Sequence, residues 1–169
     1  MLVLVIGLPG SGKSYFASEL ARLLNAAYIN SDIERNKMLA EKTYTEKEKL
    51  AVYDLMLKKM SGQVKENNNV VLDATFYKTA IRNKFISEAR GKVALYFIEV
   101  IASEALTRQR LKKQRPDSDA DVEIYKKIQQ QWEPLSEVHL TLESKEDNIG
   151  EMLQKASDYL HIKDDKRAN

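Results

Sequence analysis

The sequence contains no cysteine among its 169 residues. Disulfides and thiolate metal sites are therefore excluded, and because such a chain is compatible with a reducing compartment, we take the cytoplasm as the expected location. Long hydrophobic runs are also missing. The apolar start MLVLVIG has no basic flank and is far shorter than the roughly 20 residues that a membrane-spanning helix needs. It predicts a buried strand, and we expect no membrane association.

Neither sign of charge is in large excess. Lysine and arginine number 27 and aspartate and glutamate 25, which gives a net charge of +2. This balance does not support a surface coated by nucleic acid, so any anionic partner must be bound locally. The 43% hydrophobic and 31% charged residues are typical of a globular protein. The length favours a single domain, which we place at residues 1–162, followed by a charged tail at 163–169.

Short β-rich segments alternate with helical stretches along the chain. This alternation predicts a three-layer α/β fold, with a parallel sheet of about five strands and helices on both faces. The last candidate alternates polar and apolar residues, which favours an edge strand. The candidates are LVLVI (2–6), AAYIN (26–30), NVVLDAT (69–75), KVALYFIEV (92–100) and EVHLTLE (137–143).

Two helix signals lie between the strand candidates. Thr45 and Glu48 match a capping box, which predicts that a helix begins there. Further along, Val122, Tyr125 and Trp132 lie on one face of a predicted helix, and we expect them in the core.

The most specific motif is GLPGSGKS at residues 7–14. It matches G-x-x-x-x-G-K-[ST] between a predicted strand and an amphipathic helix, and this context disfavours the alternative of a glycine-rich turn beside a surface lysine. Glycines let successive N–H groups surround an anion at the helix N-terminus. Lys13 would reach the β- and γ-phosphates of ATP, and the Ser14 hydroxyl would ligate Mg²⁺. The predicted nucleotide-binding residues are Gly7, Pro9, Gly10, Ser11, Gly12, Lys13 and Ser14.

Two aspartates follow strand candidates, at the edge of a parallel sheet where ligands bind. Asp73, within VVLDAT, is predicted to assist Mg²⁺ directly or through a water, with the Thr75 hydroxyl beside it. The alternative for Asp73 is a cap or turn residue. Asp32, in SDIER, is predicted to accept the proton of a hydroxyl that attacks the γ-phosphoryl group. Its alternative is the N-cap of the next helix, and position alone does not separate the two roles.

Basic residues are concentrated in TRQRLKKQR, just after the fourth strand candidate. Guanidinium groups there would close over the triphosphate and offset charge in the transition state, so we predict a lid at about residues 106–120. The alternative for most of these residues is a solvated helix face. We therefore expect only one or two of them to be functional.

Four motifs together resemble a small P-loop kinase family that includes the polynucleotide 5′-hydroxyl kinase domain, with zeta toxins as more distant relatives. The motifs are GLPGSGKS, NSDIER, VVLDATF with Arg82 downstream, and RLKKQRPDSDAD followed by WEPL. The similarity runs from residue 2 to about residue 142, in the order and spacing of that family. It implies a P-loop kinase fold and the transfer of the γ-phosphoryl group of ATP, with Mg²⁺, to a hydroxyl.

The resemblance also implies roles for individual residues. Asp32 is the implied general base, and Arg35 is the implied ligand of the acceptor's phosphate or neighbouring groups. Arg115, and after it Arg108, is the implied lid arginine. Arg82 corresponds to a basic residue near the acceptor, with a solvent-facing helix position as its alternative. The predicted catalytic residues are Lys13, Asp32, Arg35, Arg115 and Arg108. The predicted substrate-binding residues are Asp32, Arg35, Thr75 and Arg82. The predicted metal ligands are Ser14 and Asp73, and Asp73 is the counterpart of the acidic residue on the third strand of that family.

The leading functional hypothesis is an ATP-dependent phosphotransferase whose acceptor is a polynucleotide 5′-hydroxyl end. A small-molecule kinase acting on a nucleoside, sugar or antibiotic hydroxyl is the alternative, because the near-neutral charge and the lack of an RNA-reading module weaken the case for nucleic acid. Two further classes stay open. An ATPase switch would hydrolyse ATP without responding to hydroxyl compounds, and a regulatory module would retain ATP without releasing phosphate.

Overall fold

The structure, a computed structural model, describes residues 1–38, 45–112 and 122–161. Its strands are β1 (Leu2–Ile6), β2 (Ala27–Asn30), β3 (Val70–Asp73), β4 (Leu95–Ile101) and β5 (Leu140–Glu143). They form one sheet in the order β2-β3-β1-β4-β5, and every neighbouring pair is parallel. This confirms the predicted five-stranded parallel sheet and places β5 at an edge, as its alternating pattern predicted.

Seven helices lie within the described residues. None of those helices combines the length and the apolar character that a bilayer crossing requires. The predicted lid at about residues 106–120 lies partly outside the described residues, and the predicted tail at 163–169 lies wholly outside them. The helices are α1 (Lys13–Leu23), α2 (Ser31–Met38), α3 (Glu46–Lys65), α4 (Thr79–Ala89), α5 (Glu104–Leu111), α6 (Val122–Gln130) and α7 (Ile149–Tyr159).

The central strand β1 connects the two layers of helices. Because side chains alternate along a strand, its apolar run serves both faces of the sheet. Leu2, Leu4 and Ile6 pack with side chains from α3 and α4. Val3 and Val5 pack with side chains from α1 and α7. The result is a three-layer arrangement in which the carboxyl ends of all five strands lie along one edge, where the loop 7–12 begins.

Two local predictions are tested by individual residues. The Thr45 hydroxyl accepts a hydrogen bond from the backbone N–H of Glu48 at 3.3 Å, which confirms the predicted start of α3 with Thr45 as its N-cap. Trp132 and Tyr125 are half-buried, and Trp132 packs against the edge of the core cluster under α3 and α4. The core prediction therefore applies to them only in part, while the side chain of Val122 lies outside the described atoms.

Candidate active site

The P-loop follows β1 and ends in the first turn of α1. Gly10 and Gly12 have φ angles of 78° and 91°, a left-handed backbone that glycine adopts without a steric cost. Gly12 is the N-cap residue of α1, so it offers no side-chain acceptor to the first turn, which also contains no acidic residue. The N–H groups and the positive dipole end of the helix are thereby left for an anion. The predicted phosphate-binding loop thus has the backbone geometry that this role requires.

Lys13 faces a small cavity beside the P-loop, which we call the Lys13 cavity. The lysine is only 9% exposed, and the cavity has a volume of about 70 Å³. Cationic, hydroxyl and apolar side chains share its wall with one carboxylate, that of Asp32. The other lining residues are Pro9, Ser31, Arg35, Lys49, Thr75, Tyr77, Ile124 and Ile128.

Asp32 lies in the first turn of α2, and its side chain is 28% exposed. It accepts a hydrogen bond of 2.6 Å from Nη1 of Arg35. Burial raises the pKa of Asp32, and the nearby positive charges of Lys13 and Arg35 offset only part of that rise. A carboxylate that lines a cavity and has an increased proton affinity is suited to act as a base.

Asn30, the last residue of β2, connects the two aspartates of the site. Its Oδ1 accepts hydrogen bonds from the backbone N–H groups of Asp32 and Ile33, each at 2.9 Å. Asn30 therefore caps α2, and the alternative that Asp32 is the cap is wrong. Its Nδ2 donates to Oδ2 of Asp73 at 2.5 Å. One buried amide thus fixes the start of α2 relative to the end of β3.

Asp73 ends β3 and is fully buried. Its Oδ2 also accepts a hydrogen bond of 2.7 Å from the hydroxyl of Tyr28, and burial together with the Asp73 charge raises the pKa of Tyr28, so the phenol remains a donor. The other oxygen, Oδ1, has no hydrogen-bond partner among the described residues. Because an unpaired buried carboxylate oxygen is costly, this atom fits a cation or a cation-bound water.

Ser14 and Asp73, the predicted metal ligands, would offer one hydroxyl and one carboxylate to a metal ion. The described residues contain no group of three or more histidine or acidic side chains that would enclose a metal. Mg²⁺ typically keeps several waters and uses one or two carboxylates together with substrate phosphates. The unpartnered Oδ1 of Asp73, near a P-loop serine, fits that pattern.

The predicted acceptor-side residues Arg35 and Thr75 both line the Lys13 cavity. Arg35 connects α2 with α3, because its guanidinium contacts Asp32 and its Nε lies 3.0 Å from a carboxylate oxygen of Glu48. The Thr75 hydroxyl lies 3.1 Å from the hydroxyl of Tyr53. The structure therefore brings Lys13 and three of the four predicted substrate-binding residues to one small space.

Arg82, the fourth of those residues, lies elsewhere. It is 0% exposed, so the solvent-facing alternative is wrong. Its guanidinium donates hydrogen bonds to the backbone carbonyls of Phe76, Glu133 and Pro134 at 2.9 to 3.0 Å. These bonds join α4 to the segment after α6. Arg82 does not line the Lys13 cavity, so this arrangement offers no contact for the predicted substrate-binding role.

Of the two predicted lid arginines, only Arg108 lies within the described residues. The side chain of Arg108 is 57% exposed and pairs with Glu104 one turn earlier on α5 at 2.7 Å. Arg115 lies outside the described residues. The lid role of both stays a prediction.

Arg110, which the sequence analysis did not select, contacts the P-loop directly. Its Nη1 donates to the carbonyl of Ser11 at 3.0 Å, and its Nη2 donates to Oγ of Ser144 at 3.0 Å. It also lines a cavity of about 380 Å³ next to Gly12, which we call the nucleoside cavity. The other lining residues are Tyr15, Phe16, Ser144, Lys145, Asp147, Asn148, Ile149 and Met152.

Comparisons with known proteins agree with this geometry. A family model described as an AAA domain matches residues 2–135. No curated protein sequence matches the chain significantly.

Several solved structures share the fold. A sugar kinase from a Janibacter species has a TM-score of 0.74 at 14% identity, covering 95% of this chain and 94% of that one. A gluconokinase from Sinorhizobium meliloti has a TM-score of 0.68 at 19% identity, covering 94% of each chain. The APS kinase of Mycobacterium tuberculosis, solved with AMPPNP and APS, has a TM-score of 0.70 at 16% identity, covering 95% of this chain and 96% of that one. The P-loop kinase fold is thereby shown.

Proposed function

Because the chain belongs to the AAA-domain family of P-loop proteins, we propose that it is a kinase that transfers the γ-phosphoryl group of ATP to a hydroxyl of a small-molecule acceptor. The observation that carries this proposal is the presence of Asp32 and Lys13 in one enclosed cavity beside the P-loop. Nucleotide binding alone requires the phosphate loop and a metal site. A carboxylate base in a separate space serves a second substrate that is deprotonated as it attacks.

The Lys13 cavity favours a small acceptor. Its volume is about 70 Å³, against about 380 Å³ for the nucleoside cavity. Ile124 and Ile128 of α6 form an apolar part of its wall. The sequence analysis placed a polynucleotide 5′-hydroxyl first. The similar structures named as a sugar kinase, a gluconokinase and an APS kinase support the small-molecule alternative better.

The phosphate groups of ATP are bound by the P-loop in this proposal. The N–H groups of residues 10–14 and the ammonium of Lys13 bind the β- and γ-phosphates. The nucleoside cavity, which adjoins Gly12, takes the base and ribose. Arg110 lines this cavity and also holds the P-loop through the Ser11 carbonyl.

Asp32 acts as the general base in the transfer step. Its carboxylate accepts the proton of the acceptor hydroxyl as that oxygen forms a bond to the γ-phosphorus. The bond between the γ-phosphorus and the bridging β–γ oxygen breaks, and ADP leaves with that electron pair. Burial raises the pKa of Asp32, which increases the driving force for proton transfer. Arg35 holds the carboxylate in position through its 2.6 Å hydrogen bond.

Residues at the start of α1 and at the end of β3 fit a magnesium ion. The Ser14 hydroxyl and the unpartnered Oδ1 of Asp73 would hold it, with Asn30 and Tyr28 fixing the other carboxylate oxygen. A bound Mg²⁺ would supply positive charge that offsets the negative charge of the phosphates.

The proposal is tested by transfer of label from γ-labelled ATP to a panel of hydroxyl compounds. The panel contains sugars and polyols, nucleosides, an aminoglycoside and 5′-hydroxyl DNA and RNA oligonucleotides. We expect a small alcohol to become labelled, with the reaction lost in Asp32→Asn. Phosphate release that ignores every hydroxyl compound would contradict the proposal and indicate an ATPase. Labelling of the oligonucleotides alone would restore the polynucleotide acceptor.

A further inference from the structure

A third cavity lies beside the P-loop, on the side of β4, whereas the Lys13 cavity lies on the side of β3. We call it the rear cavity. It has a volume of about 310 Å³ and lies between the P-loop, the end of β4 and the helices α5 and α6. It shares no lining residue with the Lys13 cavity or the nucleoside cavity. This volume is at the lower end of small-molecule sites, which span roughly 300–1,000 Å³. The lining side chains used below are Ser11, Glu99, Glu104, Tyr125, Gln129 and Trp132.

Glu99, on β4, provides a carboxylate without a permanent cation beside it. Its side chain is 19% exposed, and within the described part of the chain its ion-pair neighbour is His139, whose Nε2 lies 3.7 Å away. Nδ1 of His139 lies 2.7 Å from the carbonyl oxygen of Glu137. Since a carbonyl oxygen only accepts, Nδ1 donates this hydrogen bond, and Nε2 is the ring nitrogen that faces Glu99. Glu99 therefore has no lysine or arginine partner within the described residues.

The hydroxyl of Ser11 is a second, independent sign of a ligand. Ser11 is 3% exposed, and its Oγ has no hydrogen-bond partner among the described residues. The Oγ lies over Gly7, since a Cβ at Gly7 would come within 2.7 Å of it. Buried hydroxyl groups are nearly always paired. An unpaired one in the wall of a cavity indicates a polar group of a ligand.

The remaining walls define the chemistry of that ligand. No lysine or arginine lines the rear cavity in the described part of the chain. Arg108 approaches Glu104 on an exposed part of α5. The rings of Tyr125 and Trp132 line the cavity, and aromatic faces attract cations within about 6 Å. From the carboxylate of Glu99, the unpaired hydroxyl of Ser11 and these rings, we propose that the rear cavity is a binding site for a small organic cation with a planar body, such as an amidinium or guanidinium compound.

Benzamidine tests this proposal against benzamide, which has nearly the same shape but no charge. Trp132 is the single tryptophan of the chain, so its emission reports on the rear cavity without any activity assay. We expect saturable quenching by benzamidine and at least tenfold weaker binding of benzamide. Equal affinity for the two compounds, or no binding of benzamidine at millimolar concentration, would overturn the proposal.

Two variants locate the binding in the rear cavity. Glu99→Gln keeps the shape of the side chain and removes its charge, so benzamidine affinity should fall at least tenfold while benzamide is unaffected. Gln129→Glu adds a carboxylate to the same wall and should strengthen benzamidine binding severalfold. Glu143→Gln, on the neighbouring strand β5 with its side chain 53% exposed, is the matched control and should change nothing. Unchanged benzamidine binding in both cavity variants, with folding verified by circular dichroism, would overturn the assignment.

Discussion

The two sides of the P-loop differ in how their functional groups are held. On the side of β2 and β3, buried side chains bond one another, since Tyr28 and Asn30 both donate to the carboxylate of Asp73. On the side of β4 and β5, Arg110 donates to backbone carbonyls such as that of Ser11 and to a serine hydroxyl. A network of bonds between side chains is lost when either partner is replaced, whereas a backbone carbonyl is present whichever residue carries it. We therefore expect changes on the first side to alter chemistry and stability, and changes on the second side to alter mainly nucleotide affinity.

The largest expected effect comes from Asp32→Asn. The variant removes the proton acceptor without changing the shape of the Lys13 cavity, so the rate of phosphoryl transfer should fall by about 10²–10⁴-fold. ATP affinity should stay within about threefold, because the P-loop and the nucleoside cavity are untouched. Label transfer measures the first quantity and calorimetric titration of a non-hydrolysable ATP analogue the second. An unchanged transfer rate would remove Asp32 from the mechanism.

The pH dependence of the transfer rate, measured for the wild type and for Asp32→Asn, tests the role of Asp32 as the base more sharply. Transfer requires ionised Asp32, so the rate should rise with pH through the pKa of this group. Burial raises that pKa above its ordinary value of 3.8, so the acidic limb should extend to higher pH than an exposed aspartate would give. The limb should be absent from the residual activity of Asp32→Asn. A limb of the same midpoint in both proteins would assign it to another group.

Asn30→Asp should have the next largest effect, on stability. The new carboxylate still caps α2 but faces Asp73 where an amide donated before. Two adjacent buried carboxylates should lower the free energy of unfolding at pH 7 by about 3–5 kcal/mol. The pair has a raised pKa in the folded state, so the loss should shrink as pH falls through that pKa. Urea unfolding at several pH values measures this. Asn68→Asp makes the same change at an exposed site and should cost less than about 0.5 kcal/mol.

Tyr28→Phe removes only one donor to Asp73 and should have a smaller effect. The hydrogen bond to a charged group is worth about 1.5–3 kcal/mol, and Asn30 still donates to the same oxygen. The free energy of unfolding should fall by about 2 kcal/mol in urea titrations. Tyr159→Phe, whose hydroxyl makes an exposed 3.4 Å contact to a carbonyl, is the control and should be nearly neutral. Equal losses in the two variants would show that the Asp73 network has no special weight.

Arg110→Ala tests the other side of the P-loop and should have the smallest of these effects. Loss of the contacts to Ser11 and Ser144 should weaken nucleotide binding by about tenfold, which corresponds to roughly 1.4 kcal/mol. Arg108→Ala removes an exposed arginine from the same helix and should leave the affinity within twofold. Titration of the ATP analogue measures both. A larger loss in Arg108→Ala would support the lid role that the sequence analysis assigned to it.

The fold and the phosphate loop could be predicted because their signals are local. The apolar run of β1 and the glycines of the P-loop are each contained within a few consecutive residues. That Asp32 and Asp73 lie near each other also follows from sequence, since the carboxyl ends of parallel strands share one edge of the sheet.

The remaining features depend on contacts between distant segments. Arg82 is buried because carbonyls about 50 positions later accept its hydrogen bonds, and no local pattern encodes them. Arg108 and Arg110 are two residues apart on a helix, so their side chains diverge by about 200°. Only the position of α5 relative to the P-loop decides which one contacts it. The capping role of Asn30 could have been suspected from its place before α2, but its bond to Asp73 could not.

The bond from Arg110 to the Ser11 carbonyl has a consequence for the direction of the next amide. In a trans peptide the C=O and N–H groups point in opposite directions within one plane. By holding the Ser11 oxygen at 3.0 Å, the guanidinium directs the N–H of Gly12 away from itself. A positive side chain thus sets the orientation of a backbone dipole in the loop that, in the proposed function, receives the phosphates.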